Sequence, residues 1–319
     1  MNLPKLTAPS VLVWVACVII VYLIVVRNAD ANILMPENAE VNNVADAVVY
    51  ISMGKMAHNN LVDFSIASVV KVGKWEKDIY VLTDLPNCFQ NAKENYGVTP
   101  VYVPTLGSII EIKALKTALF EHLPAHVHSV IYLDIDILVA KPLRGFMRDL
   151  STQIVARNNH LQSLSISHAV NLTHGVADVA MFPDAKGHYV GFCAGCEKWH
   201  TGVIWYRRHQ PVHHTNVCMR QWKEVLLSGK FGTDQESMDA TEGSGHCPHM
   251  ISLLTKHLIF AKDYIAMALL DTPTFWHVTG AGRMEEQDWF YSTFILPRLY
   301  YSLHPPLNPK IIETEKQCS

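Results

Sequence analysis

The sequence predicts an α/β fold with a mostly parallel, Rossmann-like central sheet and helices on its faces. Short runs rich in β-branched and aromatic residues alternate with helical stretches along residues 46–133, the pattern of strands joined by helical crossovers. Two of these runs end on aspartates, Asp84 and Asp134. Since such sheets bind ligands at the carboxyl ends of their strands, both aspartates are candidate site residues.

The predicted elements follow in a regular order through the first half of the chain and less regularly after it. In the first half, strands are expected over 48–52, 79–83, 101–103 and 129–133, and helices over 61–72 and 111–122. In the second half, strands are expected over 176–182 and 202–206, a helix over 218–228, and a partly helical, partly extended segment over 253–260. Prolines at 305, 306 and 309 indicate an irregular tail.

The composition is that of a globular protein. Of the 319 residues, 49% are apolar and 17% are charged, which is enough apolar surface for a sizeable core. The formal net charge of -3 gives no electrostatic reason to expect nucleic acid as a partner.

An apolar run near the N-terminus predicts a membrane anchor. Residues 11–26 are all apolar, and the uncharged stretch between Lys5 and Arg27 spans about 20 residues, which is enough to cross a bilayer. A cleaved signal peptide is the alternative, because residues 29–31 (Ala-Asp-Ala) resemble a small-x-small cleavage pattern. Either interpretation places the rest of the chain in an oxidising compartment.

Two further features agree with such a compartment. Asn171 begins the only glycosylation sequon, Asn-Leu-Thr. Six cysteines lie beyond the apolar run, at 88, 193, 196, 218, 247 and 318. They predict disulfides whose pairing stays open, with Cys218–Cys247 one reasonable bridge. A zinc site is the alternative, with ligands drawn from Cys193, Cys196, His200, His246, Cys247 and His249.

The most informative segment for chemistry is the apolar strand that ends in Asp134-Ile-Asp136. Two carboxylates one residue apart repel each other, so a partner cation is expected beside them. Carboxylate oxygens are hard ligands that suit Mg²⁺ or Mn²⁺, and such an ion can bridge a diphosphate. On the preceding helix, Lys113 and Lys116 lie three residues apart on one face, where an ammonium could reach a phosphate.

These motifs resemble those of the family 8 glycosyltransferases, the glycogenin and lipopolysaccharide galactosyltransferase group. The resemblance runs from Val48 to about Asp288. It rests on five elements in the family's order: the basic helix with Lys113 and Lys116, the strand and D-x-D at 132–139, His-Thr-Gly at 200–202, Asp234-Gln235, and His-x-x-Gly-x-Gly-Arg at 277–283. His200 and Arg283 stand where the family has Asn and Lys.

The resemblance implies a GT-A type fold and a complete set of site residues. The metal, Mn²⁺ or Mg²⁺, is expected on Asp134, Asp136 and His277. The nucleoside-diphosphate sugar is expected to contact residues on several elements: Asp84, Lys113, Lys116, Gly280, Gly282 and Arg283. Asp234 and Gln235 are the expected catalytic residues beside the sugar. Glycine lets backbone N–H groups approach a diphosphate, and a cation neutralises a leaving group.

The implied activity is retaining transfer of a sugar from a nucleoside-diphosphate donor to a glycan, protein or lipid acceptor. The expected organisation is a cytoplasmic tip and signal-anchor at 1–28, a stem at 29–45, a catalytic domain at 46–300 and a tail at 301–319. A Golgi or other secretory-pathway location, as a single-pass type II protein with a lumenal catalytic domain, is expected from the anchor and the family.

Two other functions remain open on the sequence. A haloacid-dehalogenase-type phosphatase also places D-x-D after an apolar strand, but near the start of its domain and usually followed by Gly-Thr, whereas Ile137 and Leu138 follow Asp136 here. The other alternative is a non-catalytic binding module on a glycosyltransferase fold. The presence of His200 and Arg283, where the family has Asn and Lys, is its support.

Overall fold

The computed structural model describes residues 44–168, 177–183, 199–208, 217–247, 249–260, 273–277 and 318. The predicted anchor, the stem up to residue 43, the sequon at Asn171 and nearly all of the tail lie outside these residues. Within the described ranges, no helix combines the length and the apolar character needed to cross a membrane. The predicted domain limits at 28 and 300 also fall outside them, and the first described strand begins at Ala47.

The strands and helices alternate through the first half of the described chain, as the sequence predicted. The strands are β1 Ala47–Ile51, β2 Asp78–Thr83, β3 Thr99–Tyr102, β4 Ser129–Leu133, β5 Ile137–Val139, β6 Val179–Pro183, β7 Trp199–Arg207, β8 Met250–Ser252, β9 Leu258–Phe260 and β10 Phe275–His277. The α-helices are α1 Leu61–Lys71, α2 Gln90–Tyr96, α3 Ile109–Ala114, α4 Leu119–His122, α5 Arg144–His168, α6 Val217–Leu227 and α7 Asp234–Gly243.

Seven of the described strands form a central sheet in the order β3-β2-β1-β4-β7-β6-β8. The β3-β2-β1-β4 half is parallel throughout. Strand β7 runs antiparallel to both β4 and β6, and β8 returns to a parallel pairing with β6. The prediction of a mixed α/β fold with a mostly parallel central sheet is therefore confirmed.

Strand alternation divides the core between the two faces of this sheet. In β4, Ile131 and Leu133 pack into one apolar cluster, while Val130 and Tyr132 pack into the other. Because side chains alternate along a strand, Asp134 continues the face of Tyr132 and not that of Leu133. The second cluster, which includes Tyr206 and Trp222, therefore lies below the position where β4 delivers its carboxylate.

A second, three-stranded sheet, which the sequence did not predict, places β10 close to the end of β4. Its order is β5-β10-β9, and β5 begins directly after the D-x-D segment. Residue His277 of β10 pairs with Ile137 of β5 in the antiparallel register. Helix α1 holds β5 from below, since Ser65 Oγ donates to the Ile137 carbonyl and the Val139 N–H donates to Ser68 Oγ over 2.9 Å. This pairing brings residue 277 next to Asp136.

The predicted helix over 111–122 is divided into three pieces. Helix α3 begins with a capping box, in which Ser108 and Glu111 each accept from the other's backbone N–H. It continues as a 3₁₀ turn over Leu115–Thr117 and then as α4, with Ala118 at φ -124° between them. The tighter turn buries Lys116, which is only 6% exposed, beneath the end of β4.

Two disulfides link described cysteines. Cys218 of α6 is bonded to Cys247, the pairing that the sequence offered as one reasonable bridge, and Cys88 is bonded to Cys318. With its sulfur in a disulfide, Cys247 is not a thiolate, so the alternative zinc site loses that ligand. Cys193 and Cys196 lie outside the described residues.

A buried histidine, His257, links the turn before β9 to helix α5. His257 contacts Thr274 Oγ1 through Nδ1 at 2.8 Å and Asp149 Oδ2 through Nε2 at 3.0 Å. Burial lowers the pKa of His257, and the nearby Asp149 carboxylate offsets only part of that effect. A histidine whose pKa is lowered by folding takes up its proton first in the unfolded state, so stability falls as the pH drops below about 6.5.

We therefore expect the free energy of unfolding to decrease from pH 7.5 to pH 5.5 more in the wild type than in His257→Gln, since glutamine does not titrate. Urea unfolding of both proteins at the two pH values measures the difference. Equal pH dependence in the two proteins would contradict the assignment of a neutral, buried His257.

Candidate functional site

The centre of the site is a buried lysine between two carboxylates. Lys116 Nζ lies 2.9 Å from Asp134 Oδ1 and 2.7 Å from Asp234 Oδ2, and it donates to the Thr201 carbonyl over 3.3 Å. Asp134 directly follows strand β4, Lys116 lies in the 3₁₀ turn, and Asp234 is the first residue of α7, after the Thr233 N-cap. Three separate segments of the sequence therefore meet through charge at one edge of the sheet.

The two carboxylates have different electrostatic surroundings. Burial alone would raise the pKa of Asp234, but Lys116 and Lys113 together hold that pKa well below its usual range. Burial raises the pKa of Asp134, and the neighbouring Asp136 and Asp234 carboxylates add to the increase that Lys116 opposes. Three carboxylates, those of Asp134, Asp136 and Asp234, face two ammonium groups, those of Lys113 and Lys116, and a divalent cation would offset the remaining negative charge.

Asp234 is held from several sides. Lys113 Nζ lies 3.0 Å from its Oδ1, and Thr201 Oγ1 donates to its Oδ2 over 2.8 Å. Trp222 Nε1 donates to its backbone carbonyl over 3.1 Å. The Lys113 side chain is 29% exposed, so this lysine forms the solvent-facing side of the charge cluster.

Asp136 and His277 form the second half of the site. His277 Nε2 lies 3.3 Å from Asp136 Oδ2, and His277 Nδ1 lies 2.9 Å from His200 Nε2. The two imidazole rings meet edge to face, with centroids 4.7 Å apart and an interplanar angle of 71°. A continuous chain of polar groups, Asp136, His277 and His200, therefore runs from the solvent-accessible edge into the core.

The absence of a side chain at Gly202 lets the two halves approach each other. The Asp134 N–H donates to the Gly202 carbonyl over 2.8 Å, so the two residues face each other across β4 and β7. A Cβ atom on Gly202 would lie 2.7 Å from His200 Cε1 and 3.1 Å from Asp134 Oδ2. Both neighbours are already hydrogen-bonded, so neither can give way without loss of a contact.

Gly202→Ala is expected to weaken divalent-metal binding by about 10- to 100-fold, because it displaces Asp134 and His200. Overpacking would also cost about 1–3 kcal/mol of stability. Gly145→Ala is the matched control. Gly145 lies in helix α5, and a Cβ atom added there would meet nothing within 4 Å. Mn²⁺ titration and urea unfolding of both variants measure the two effects. Equal behaviour of the two variants would mean that the close approach at Gly202 is unimportant.

The spacing of Asp136 and His277 fits two neighbouring ligands of a divalent cation. Two donor atoms at right angles around an ion at about 2.1 Å lie about 3.0 Å apart, close to the 3.3 Å between Asp136 Oδ2 and His277 Nε2. Two carboxylates and an imidazole are also ligands that suit Mn²⁺ or Mg²⁺. Asp134 is held instead by Lys116 and by the Tyr132 hydroxyl, which donates to Asp134 Oδ1. Asp136 and His277 thus fit as neighbouring ligands, with Asp134 adjacent.

Among the described residues, the only three ligand atoms that all lie within 4.8 Å of one another belong to His58, Cys88 and Cys318. The sulfurs of this group form a disulfide, which removes both thiolates as ligands. The ligand atoms of Asp134, Asp136 and His277 do not all lie within 4.8 Å of one another.

The other predicted site residues have distinct surroundings. Gln235 Nε2 donates to the Trp199 carbonyl over 3.3 Å, which ties the start of α7 to β7. Asp84 accepts from the Gly54 N–H over 2.8 Å and from Thr105 Oγ1 over 3.1 Å. It therefore fixes the loops that follow β1 and β3. The predicted diphosphate contacts Gly280, Gly282 and Arg283 lie outside the described residues.

Sequence reasoning missed two residues that hold the carboxylates. Tyr132 lies two residues before Asp134 on the same strand face, so strand alternation could have identified it. Thr201 donates to Asp234 from a different strand, and only the fold brings the two together.

No family model matches the sequence, and no curated protein does so. The structure is similar to that of the galactosyltransferase LgtC in complex with donor and acceptor sugar analogues, at 15% identity and a TM-score of 0.48, covering 83% of this chain and 98% of that one. It is similar to the apo-form glycosyltransferase GlyE of Streptococcus pneumoniae TIGR4 at 15% identity and a TM-score of 0.49, over 79% of this chain and 61% of that one. For mouse xyloside xylosyltransferase 1, apo form, the identity is 10% and the TM-score 0.45, over 73% and 97%. The three proteins are a galactosyltransferase, a glycosyltransferase and a xylosyltransferase.

Proposed function

We propose that this chain is a metal-dependent, retaining glycosyltransferase that moves a sugar from a nucleoside-diphosphate donor to a glycan, protein or lipid acceptor. The observation that carries the proposal is the meeting of the D-x-D segment with His277, whose Nε2 lies 3.3 Å from Asp136 Oδ2. Nothing local in the sequence requires this contact, because it joins the end of β4 to a strand of another sheet. It assembles a carboxylate and imidazole donor set at the edge where α/β sheets bind ligands.

The metal ligands in this proposal are Asp134, Asp136 and His277. When bound, Mn²⁺ or Mg²⁺ offsets the negative charge of the departing diphosphate. The chain itself orients these ligands: Lys116 and Tyr132 hold Asp134, and the β5-β10 pairing holds His277. Of these ligands, Asp136 and His277 are already neighbours, which reduces the rearrangement needed when an ion binds.

The two lysines divide their work in this proposal. Lys116 is buried and its hydrogen bonds go to Asp134, Asp234 and the Thr201 carbonyl, so it holds the carboxylates and does not reach out to phosphate. Lys113 is partly exposed beside Asp234, where its ammonium can bind a donor phosphate oxygen. Gly280, Gly282 and Arg283 are proposed as further diphosphate contacts, and Asp84 as the nucleoside contact.

Asp234 and Gln235 are proposed to act beside the donor sugar. The lysines keep Asp234 ionised, since they hold its pKa well below the usual range. An ionised carboxylate accepts hydrogen bonds from sugar hydroxyls and stabilises an oxocarbenium-like centre. Gln235 follows it at the start of α7, where its side chain is fixed against the Trp199 carbonyl.

The proposed cellular setting is the lumen of the Golgi or another secretory compartment, with the chain anchored by one N-terminal helix. The described disulfides, Cys218–Cys247 and Cys88–Cys318, support an oxidising compartment. The apolar run over residues 11–26 supports the anchor.

A donor-panel hydrolysis screen tests the proposed reaction. Purified protein is incubated with a set of nucleoside-diphosphate sugars and Mn²⁺, and free nucleoside diphosphate is measured with and without chelator. We expect turnover of one donor well above the others, and its loss on chelation. A parallel assay on phosphate monoesters covers the phosphatase alternative. Turnover of phosphate monoesters without sugar donors, or binding of a donor without any turnover, would contradict the proposed function.

A further inference from the structure

His200 lies directly behind His277, on the side away from Asp136. It belongs to β7, it is only 1% exposed, and its Nε2 lies 2.9 Å from His277 Nδ1. His277 therefore has a nitrogen on each side within reach of a partner: Nδ1 faces His200, and Nε2 faces Asp136 at 3.3 Å. The orientation of the His277 ring is thus fixed from both sides.

The chemistry of imidazole limits which proton arrangement is compatible with a metal on His277. A neutral imidazole carries its proton on one nitrogen and a lone pair on the other. If Nε2 donates its lone pair to a metal beside Asp136, the proton must be on Nδ1. That N–H points at His200 Nε2, so His200 must present a lone pair there and carry its own proton on Nδ1. A polar group that can only donate would oppose this arrangement.

We propose that His200 is a positioning residue for the metal site: it accepts the Nδ1–H of His277 and so holds the His277 Nε2 lone pair toward the metal. The inference rests on the proposed function, because it concerns the same divalent ion. Partners that hold the second nitrogen of a ligating histidine fix its tautomer and raise its basicity as a ligand.

The packing around His200 accommodates this role. Gly202, two residues along the same strand face, leaves the room in which the His200 ring lies, since a Cβ atom there would be 2.7 Å from His200 Cε1. An apolar side chain in this place would avoid the cost of burying a polar group. The 2.9 Å contact with His277 instead uses a ring nitrogen of His200 in a hydrogen bond.

The first test measures Mn²⁺ binding directly, without donor or turnover, by the electron paramagnetic resonance signal of free Mn²⁺. Wild type, His200→Leu and His200→Gln are titrated, and thermal unfolding of each confirms that it is folded. We expect His200→Leu to bind Mn²⁺ about 10- to 100-fold more weakly, because His277 loses its partner. His200→Gln keeps a side-chain oxygen that can accept, so most of the affinity should return. Folded His200→Leu with wild-type Mn²⁺ affinity would overturn the inference.

The second test needs no substitution at position 200, and so it holds even if the leucine variant fails to fold. In protein labelled with ¹⁵N-histidine, the His277 resonances are assigned by comparison with His277→Gln, and diamagnetic Mg²⁺ is added. We expect His277 to carry its proton on Nδ1 in the Mg²⁺-bound form. A proton on Nε2 in that form would overturn the inference. If the wild type binds neither ion, the proposed metal site itself is wrong. If the wild type binds Mn²⁺ and His200→Leu binds it equally well, only the role of His200 is wrong.

Discussion

Lys116→Met is expected to lower the free energy of unfolding by about 3–5 kcal/mol, because it removes the buried cation shared by Asp234, which is buried, and Asp134, which is partly exposed. Burial alone would lower the pKa of Lys116, but Asp134 and Asp234 more than reverse this and hold it above its usual value. The lysine is therefore charged at neutral pH, and the carboxylates depend on it. Methionine keeps the unbranched shape and removes only the charge. Urea unfolding at pH 7 measures the loss.

Lys113→Met is the matched control, since Lys113 contacts the same Asp234 from a partly exposed position. Because Lys113 is partly exposed and Lys116 still neutralises Asp234, this variant should lose only about 1 kcal/mol. In Lys116→Met, a second substitution, Asp134→Asn, removes the charge of the carboxylate that has lost its cation and should restore part of the loss. Equal, small losses in both lysine variants would contradict the view that Lys116 is the buried counterion of this site.

Asp136→Asn is expected to lower donor turnover by roughly 10²- to 10³-fold, together with a loss of Mn²⁺ affinity. The amide has the shape of the carboxylate but no charge, so it is a poor ligand for a hard cation and a weaker partner for His277 Nε2, which now lies 3.3 Å from the carboxylate. Steady-state turnover across a Mn²⁺ titration separates the two effects, because weakened metal binding alone is recovered at high Mn²⁺.

The control for this substitution is Asp78→Asn. Asp78 is the first residue of β2, at the amino end of the strand, and its side chain is 56% exposed. It should leave both turnover and Mn²⁺ dependence unchanged. Turnover in Asp136→Asn equal to that of Asp78→Asn, at every Mn²⁺ concentration, would exclude Asp136 as a metal ligand.

Local sequence pattern was sufficient for much of the fold. The β-branched run that predicted a strand over 129–133 forms β4 with those bounds, and the apolar stretch at 61–72 forms α1, Leu61–Lys71. Both depend on periodicity within one segment. The helix break at 115–117 was missed, because the sequence gives no proline or glycine there to indicate it.

The start of α7 carried a signal that went unused. Thr233 and Glu236 form a capping box in which each side chain accepts from the other's backbone N–H. A threonine followed three residues later by glutamate predicts a helix start. With that signal, Asp234 would have been assigned to the first helical position.

The meeting of His277 with Asp136 could not have been found from local pattern. Strand β10 has only three described residues, and its partner β5 also has three. Such short strands have no useful periodicity, and their pairing depends on the completed fold. Only the resemblance of the ordered motifs suggested that these residues act together. The burial of Lys116 could not be predicted from the sequence either. Helical spacing places Lys113 and Lys116 on one face, but it does not indicate which of the two lysines is buried.

The most direct test of the central claim is a crystal structure of the protein with Mn²⁺ and a nucleoside diphosphate, with anomalous scattering used to locate the metal. The account predicts an anomalous peak about 2.1 Å from donor atoms of Asp136 and His277, with diphosphate oxygens on its open side. A peak elsewhere, or a diphosphate bound at this edge with no metal beside either residue, would contradict it.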